Sequence, residues 1–88
     1  MNLISSKNNT KIKYTAKLFC SSKFRSQNGL FVIEGLRLCI DAFKSNVKIK
    51  TVFVTKDMIN KSNGFVNDII KNAEESFEVS DDVIKHIS

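Results

Sequence analysis

The stretch Lys23-Phe24-Arg25-Ser26-Gln27-Asn28-Gly29-Leu30-Phe31-Val32-Ile33-Glu34-Gly35 decides how this chain folds. Its order predicts the basic end of a helix, a turn at Gly29, a buried strand over Leu30–Ile33 and a second helix after Gly35. Gly29 can supply a positive φ for the turn. A continuous apolar run is typical of a strand covered on both faces. The stretch therefore indicates an α/β arrangement in which cations and a carboxylate lie close together.

Helical periodicity extends in both directions from this stretch. A first helix is predicted from Asn9 or Thr10 to Phe24, because part of its helical wheel forms one apolar arc. That arc contains Ile12, Thr15, Ala16, Leu18, Phe19 and Cys20. The second helix, from Gly35 or Leu36 to about Ser45 with Asn46 at its end, repeats apolar residues at i, i+3, i+4 and i+7. Those residues are Leu36, Cys39, Ile40 and Phe43.

The second half of the chain continues the alternation of strands and helices. Thr51–Thr55 is predicted as a strand, Asn63-Gly64 as the start of a third helix, and 77–79 as a short strand. Ser80 then caps a final helix whose first turn is acidic. The order α-β-α-β-α-β-α predicts a three-layer α/β/α sandwich with a mostly parallel sheet. Residues 1–88 are expected to form one domain, and the abrupt end at Ser88 suggests that it is excised from a longer protein.

Charge is distributed unevenly along the chain. Residues 1–50 contain ten Lys or Arg and two acids, so their net charge is +8, whereas residues 51–88 have a net charge of −3. Such segregation favours a polyanionic partner over solubility alone. No apolar run has the length of a membrane span and no signal peptide is evident, so we expect a cytoplasmic protein without a membrane partner. Cys20 and Cys39 lie on predicted apolar faces and are expected to pack as small hydrophobic residues.

Catalysis by this chain is not expected. The lone His86 lies near a helix end where the dipole favours a cation. Three glycines form no phosphate-binding loop. The pairs Glu74-Glu75 and Asp81-Asp82 are interpreted as a solvated helix end and a helix start matched to the dipole, not as a metal site.

Nucleic-acid binding fits the basic residues best. Lys13, Lys17, Lys23 and Arg25 lie on or just after the first helix, and phosphate contacts need cations on a rigid element. Tyr14 and Phe24 could stack on an unpaired base, although packing within the protein is the favoured interpretation for both. Glu34 is expected to form a salt bridge with Arg25 or Arg37; the alternative is that it accepts a hydrogen bond from RNA.

The order of these motifs resembles a known family. Ile4-Ser5-Ser6, Asn9, Ile12-Lys13, Leu18, Lys23-x-Arg25 and Gly29-x-Phe31-Val32-Ile33-Glu34-Gly35-x-Arg37 are similar to the N-terminal substrate-binding domain of SpoU-type RNA 2′-O-ribose methyltransferases. The similarity is detailed over the first 45 residues and rests on pattern beyond them. Thr10 stands where the family often has Pro, a change that should leave the helix start intact.

The resemblance implies a ribosomal-protein-like domain that binds structured RNA, most often ribosomal RNA. Its polar positions correspond here to Asn9, Lys13, Lys23, Arg25, Glu34 and Arg37. Asn9 would cap the first helix, while Lys13, Lys23 and Arg25 would contact phosphate. Glu34 and Arg37 would line the RNA-facing surface.

The resemblance also implies a parent protein with a covalently linked, knotted catalytic domain that binds S-adenosylmethionine and often dimerises. This chain would then hold no cofactor and perform no methyl transfer by itself. Two alternatives remain open from the residues. One is a free-standing ribosome-associated RNA-binding protein of the same fold, and the other is a dimerisation or interaction module whose basic face is only solvated.

Overall fold

In the computed structural model, which describes residues 1–62 and 64–87, three strands and six helices follow one another. The strands are β1 (Asn2–Ile4), β2 (Thr51–Val54) and β3 (Glu75–Val79). The helices are α1 (Thr10–Cys20), α2 (Ser22–Asn28), α3 (Leu36–Lys44), α4 (Lys56–Lys61), α5 (Phe65–Asn72) and α6 (Asp81–Ile87). The predicted α/β sandwich with a parallel sheet is confirmed.

Strand β3 forms the centre of the sheet. It pairs in parallel with β1 on one side and with β2 on the other, so the order is β1-β3-β2. The register places Ile4 beside Val79 and Phe53 beside Phe77, and the two Phe rings stack with centroids 5.7 Å apart. Because side chains alternate along a strand, these four residues share one face of the sheet.

The main hydrophobic core lies on that face and attaches α1 and α6 to the sheet. Its buried residues are Ile4, Ile12, Val79, Val83 and Ile87. The side chains of Ile12 and Val83 are 0% exposed. A fully buried aliphatic side chain of this size contributes about 1.5–3 kcal/mol to folding. Helix α1, which carries Lys13 and Lys17, is therefore firmly fixed to the sheet.

The single helix predicted to end at Phe24 is wrong, because the chain breaks at Ser21. Ser21 is extended, with φ −128° and ψ 111°, and its hydroxyl accepts a hydrogen bond from the Phe24 N–H at 3.1 Å. Ser21 is thus the N-cap of a separate helix, α2. The turn predicted at Gly29 is confirmed: Gly29 has φ +63° and ends α2.

The strand predicted over Leu30–Ile33 is also wrong. These residues connect α2 to α3 and pair neither with the outer edge of β1 nor with that of β2. Strand β1 and helix α4 were not predicted, and β3 begins at Glu75 rather than at Phe77.

Other elements lie where their sequence patterns place them. Helix α3 spans the predicted residues, and Asn46, with φ +61°, follows its end. Helix α5 follows Gly64 as predicted, while Asn63 lies outside the described residues. The Ser80 hydroxyl accepts a hydrogen bond from the Val83 N–H at 3.4 Å, at the start of α6.

Candidate nucleic-acid interface

Helix α1 presents two cations to solvent. Asn9 caps the helix as expected, because its Oδ1 accepts a hydrogen bond from the Lys11 N–H at 2.9 Å. Lys13 and Lys17 lie one turn apart and are both exposed. Like charges at this spacing destabilise a helix by a few tenths of a kcal/mol. Within the described ranges neither lysine forms an ion pair, so no acid of this chain offsets that repulsion.

An aromatic cluster joins α1 to α2 beside these lysines; it consists of Tyr14, Lys17, Phe24 and Asn28. The Tyr14 and Phe24 rings meet edge to face, with centroids 5.3 Å apart and an interplanar angle of 72°. The Lys17 ammonium lies 4.4 Å from the centroid of the Phe24 ring, a cation–π geometry. The Tyr14 hydroxyl donates to Asn28 Oδ1 at 2.9 Å, and Asn28 Nδ2 donates to the Phe24 carbonyl at 2.8 Å.

The Arg25 guanidinium forms hydrogen bonds within the protein through one of its nitrogen atoms. Nη1 donates to the carbonyls of Leu18 at 2.6 Å and Phe19 at 3.0 Å. These carbonyls belong to the last turn of α1, where a helix leaves its acceptors without intrahelical partners. Arg25 therefore fastens α2 to the end of α1, a role that its basic character alone did not reveal. Its exposed neighbour Lys23 has no such contact within the described part of the chain.

The salt bridge predicted between Glu34 and Arg25 or Arg37 is wrong. Within residues 1–62 and 64–87, Glu34 forms no ion pair. Glu34 is exposed and lines a shallow groove together with Phe19 at the end of α1 and Leu38 on α3. Arg37 is exposed in the first turn of α3. The structure thus places Glu34 near the end of α1 but does not join it to the cations of α1 and α2.

The segment of residues 31–34, beside this groove, has backbone N–H groups without hydrogen-bond partners among the described residues. Val32 and Ile33 line the groove, whereas the Phe31 side chain is 67% exposed. The segment therefore contributes apolar side chains to the groove while its backbone donors stay outside the sheet.

A salt bridge that the sequence did not predict ties α1 to the sheet. Lys11 Nζ lies 2.7 Å from Glu75 Oε2 on β3 and 5.4 Å from the centroid of the Phe77 ring. The hydrogen bond from Lys11 lowers the pKa of Glu75 below its ordinary value of 4.5. Glu75 is therefore not part of a solvated helix end, and Lys11 is engaged within the protein. The two residues lie far apart in sequence, so no local pattern could pair them.

The remaining reactive groups do not form a catalytic constellation in the described part of the chain. His86 is exposed in the last turn of α6, as predicted. Cys20 is exposed, contrary to its predicted burial, while burial raises the pKa of the half-buried Cys39 thiol. Residues 1–62 and 64–87 contain no group of three His, Cys, Asp or Glu able to hold a metal ion. Within these ranges no helix has the length and apolar character needed to cross a bilayer.

Comparison with protein families identifies the domain. The model of the MRM3-like substrate binding domain matches residues 9–88. The chain belongs to this family. The match confirms the resemblance to the N-terminal substrate-binding domain of SpoU-type methyltransferases and supports the binding of an RNA substrate. Comparisons with curated proteins and with solved structures gave no match.

Proposed function

We propose that this substrate-binding domain recognises structured ribosomal RNA for a SpoU-type 2′-O-ribose methyltransferase. The observation that carries the proposal is the exposed basic face of α1 and α2 in a domain of this family. Lys13, Lys17 and Lys23 define this basic face. Their charges are not paired with acids in the described ranges; α1 packs on the sheet, and Arg25 ties α2 to the end of α1. Cations on a rigid element can position phosphates without a large ordering cost.

Each remaining predicted residue has a specific place in this proposal. Asn9 fixes the start of α1 and so orients Lys13 and Lys17. Arg25 holds α2 against α1 and thereby positions its neighbour Lys23. Glu34 is exposed at the groove and Arg37 is exposed in the first turn of α3; both would line the path of the RNA beyond the end of α1.

The same proposal assigns the methyl-transfer reaction to another domain of a longer protein. A linked catalytic domain would bind S-adenosylmethionine and transfer its methyl group, while residues 1–88 would hold the RNA so that a ribose reaches that domain. The parent would act in the cytoplasm and could form a homodimer.

A salt titration tests the basic face. The variant K13A/K17A/K23A removes its three lysines, and the matched control K56A/K71A/K85A removes three exposed lysines from α4, α5 and α6. Affinity for a labelled ribosomal RNA hairpin is measured by fluorescence anisotropy over a range of salt concentrations. Each lost phosphate contact lowers the slope of log K against log salt by about 0.7–0.9, so the first variant should lose roughly 2–3 in slope.

The control carries the same change in net charge and should keep a slope close to that of the wild type. Equal slopes for the two variants would mean that binding follows net charge alone and that the basic face is misplaced. Failure of the wild-type chain to bind any RNA would refute the proposed function itself.

A further inference from the structure

We propose that Tyr14 is a stacking platform for one unpaired RNA base, with Lys13 and Lys17 beside the phosphates that flank that base. This inference rests on the proposed function and specifies its substrate as RNA with a single-stranded or bulged nucleotide. It reverses the interpretation of Tyr14 as a packing residue. The reversal follows from the exposure of the ring and from the contacts that hold it.

The Tyr14 side chain is accessible and shares its side of α1 with two lysines. It is 37% exposed, although large aromatic side chains are usually well covered. On α1, the residues Lys13, Tyr14 and Lys17 fall within an arc of about 100° on the helical wheel. A base lying against the Tyr14 ring would therefore share this side of α1 with both lysines, whose long side chains can reach the phosphates that flank it. Stacking with adjacent cations is the usual chemistry for binding unpaired nucleotides.

The ring is also fixed in position before any ligand arrives. Asn28 must present its Oδ1 to the Tyr14 hydroxyl, because its Nδ2 donates to the carbonyl of Phe24. This orientation allows the hydroxyl to donate at 2.9 Å and ties the tip of the Tyr14 side chain to the end of α2. The platform is thus held at both ends, so a stacked base need not order it.

Phe24 packs against the Tyr14 platform and does not itself serve as a stacking surface for a base. Its ring is half-buried, is contacted by the edge-to-face Tyr14 ring, and has the Lys17 ammonium 4.4 Å from its centroid. A base could reach that face of Phe24 only by displacing Lys17. The packing interpretation therefore holds for Phe24, and the two aromatic residues have different roles.

The composition of the chain makes the inference directly measurable. Tyr14 is the single tyrosine and the chain contains no tryptophan, so intrinsic tyrosine fluorescence reports on this site alone. The wild-type chain is titrated with single-stranded oligoadenylate and, as a control, with a blunt RNA duplex. Signals are corrected for absorption with free N-acetyltyrosinamide. We expect saturable quenching with the single strand, whose bases are unpaired, and little quenching with the duplex, whose bases are held by pairing.

Three variants separate stacking from the link between helices. Y14A removes the ring and should weaken binding to oligoadenylate by about 5- to 150-fold, the range measured for one stacked base. Y14F keeps the ring but loses the hydroxyl, and N28A loses the acceptor; both release the tip of the side chain and should weaken binding by about two- to tenfold, less than Y14A does. The salt slope should stay unchanged in all three variants, because no phosphate contact is removed.

Two results would overturn the inference. One is saturated binding of oligoadenylate without quenching of Tyr14, which would leave the proposed RNA-binding function intact. The other is an equal loss of affinity in Y14A and Y14F, which would mean that the hydroxyl contact matters and the ring does not. If the wild-type chain binds no RNA of any kind, both the inference and the proposed function fail. The quenching measurement uses only the wild type, so it stands even if Y14A does not fold.

Discussion

Replacing Arg25 by Ala is expected to destabilise the fold and not only to weaken RNA binding. Arg25 Nη1 donates to the carbonyls of Leu18 and Phe19, at 2.6 and 3.0 Å. Both carbonyls belong to the end of α1, whose last acceptors lack partners within the helix. The positive charge also lies at the negative end of the helix dipole. Ala would remove all of these interactions from a half-buried site.

The expected loss can be worked from these two hydrogen bonds. A hydrogen bond to a charged group contributes about 1.5–3 kcal/mol to stability, and partial exposure of Arg25 favours the lower end of that range. Two bonds with a common donor group then give a loss of about 2–4 kcal/mol in the free energy of unfolding. A domain of 88 residues typically has about 4–13 kcal/mol in total. The corresponding fall in Tm is roughly 10 °C or more.

The assay is urea unfolding followed by far-ultraviolet circular dichroism. K23A provides a matched control, because Lys23 is an exposed cation two residues away on the same helix and should change stability by no more than about 0.5 kcal/mol. R25K keeps the charge on a shorter, non-planar donor and should fall between the wild type and R25A. A free energy of unfolding for R25A within about 0.5 kcal/mol of that for K23A would refute the structural role of Arg25.

Two further predictions concern the Lys11–Glu75 salt bridge and the connection from α2 to α3. Because the hydrogen bond from Lys11 lowers the pKa of Glu75, its carboxylate stabilises the fold above pH 4.5, and this contribution should disappear as pH falls through the lowered pKa. Urea unfolding at several pH values should show a weaker acid dependence for E75Q, and an unchanged dependence would argue against the pair. Hydrogen–deuterium exchange should be fast for the amides of residues 31–34 and slow for those of residues 76–79 in the central strand. Slow exchange of residues 31–34 would mean that this segment does form a hydrogen-bonded strand.

The sequence predicted those parts of the interface that depend on a single helix. Exposure of Lys13 and Lys17 follows from the apolar arc of α1, which buries Ile12 and Leu18. The role of Arg25 could not be predicted in this way. Its acceptors come within reach only because the helix breaks at Ser21 and α2 packs back against α1. A helical-wheel projection that treats residues 9–24 as one continuous helix cannot show this break.

Contacts between residues that are distant in sequence could not be predicted either, because they depend on how the elements pack together. Lys11 and Glu75 are 64 positions apart, yet the Lys11 ammonium lies 2.7 Å from the Glu75 carboxylate on the central strand. Strand β1 has three residues and becomes a strand only by pairing with β3. A short segment of that kind carries almost no local signal, because the stabilising hydrogen bonds all come from the partner strand.

The apolar run Leu30–Ile33 marks the limit of what hydrophobicity can predict. A run of four apolar residues predicts burial, and Val32 and Ile33 do line the groove beside α3. It does not predict pairing, because a strand also needs a neighbour with free donors and acceptors. The outer edges of β1 and β2 offer such donors and acceptors, yet the run pairs with neither; it is covered through its side chains while its backbone stays outside the sheet. The consequence for function is that Glu34, which follows the run, is mounted on an irregular connection rather than on a strand end, and its contribution to RNA binding should depend on how firmly the groove holds Val32 and Ile33.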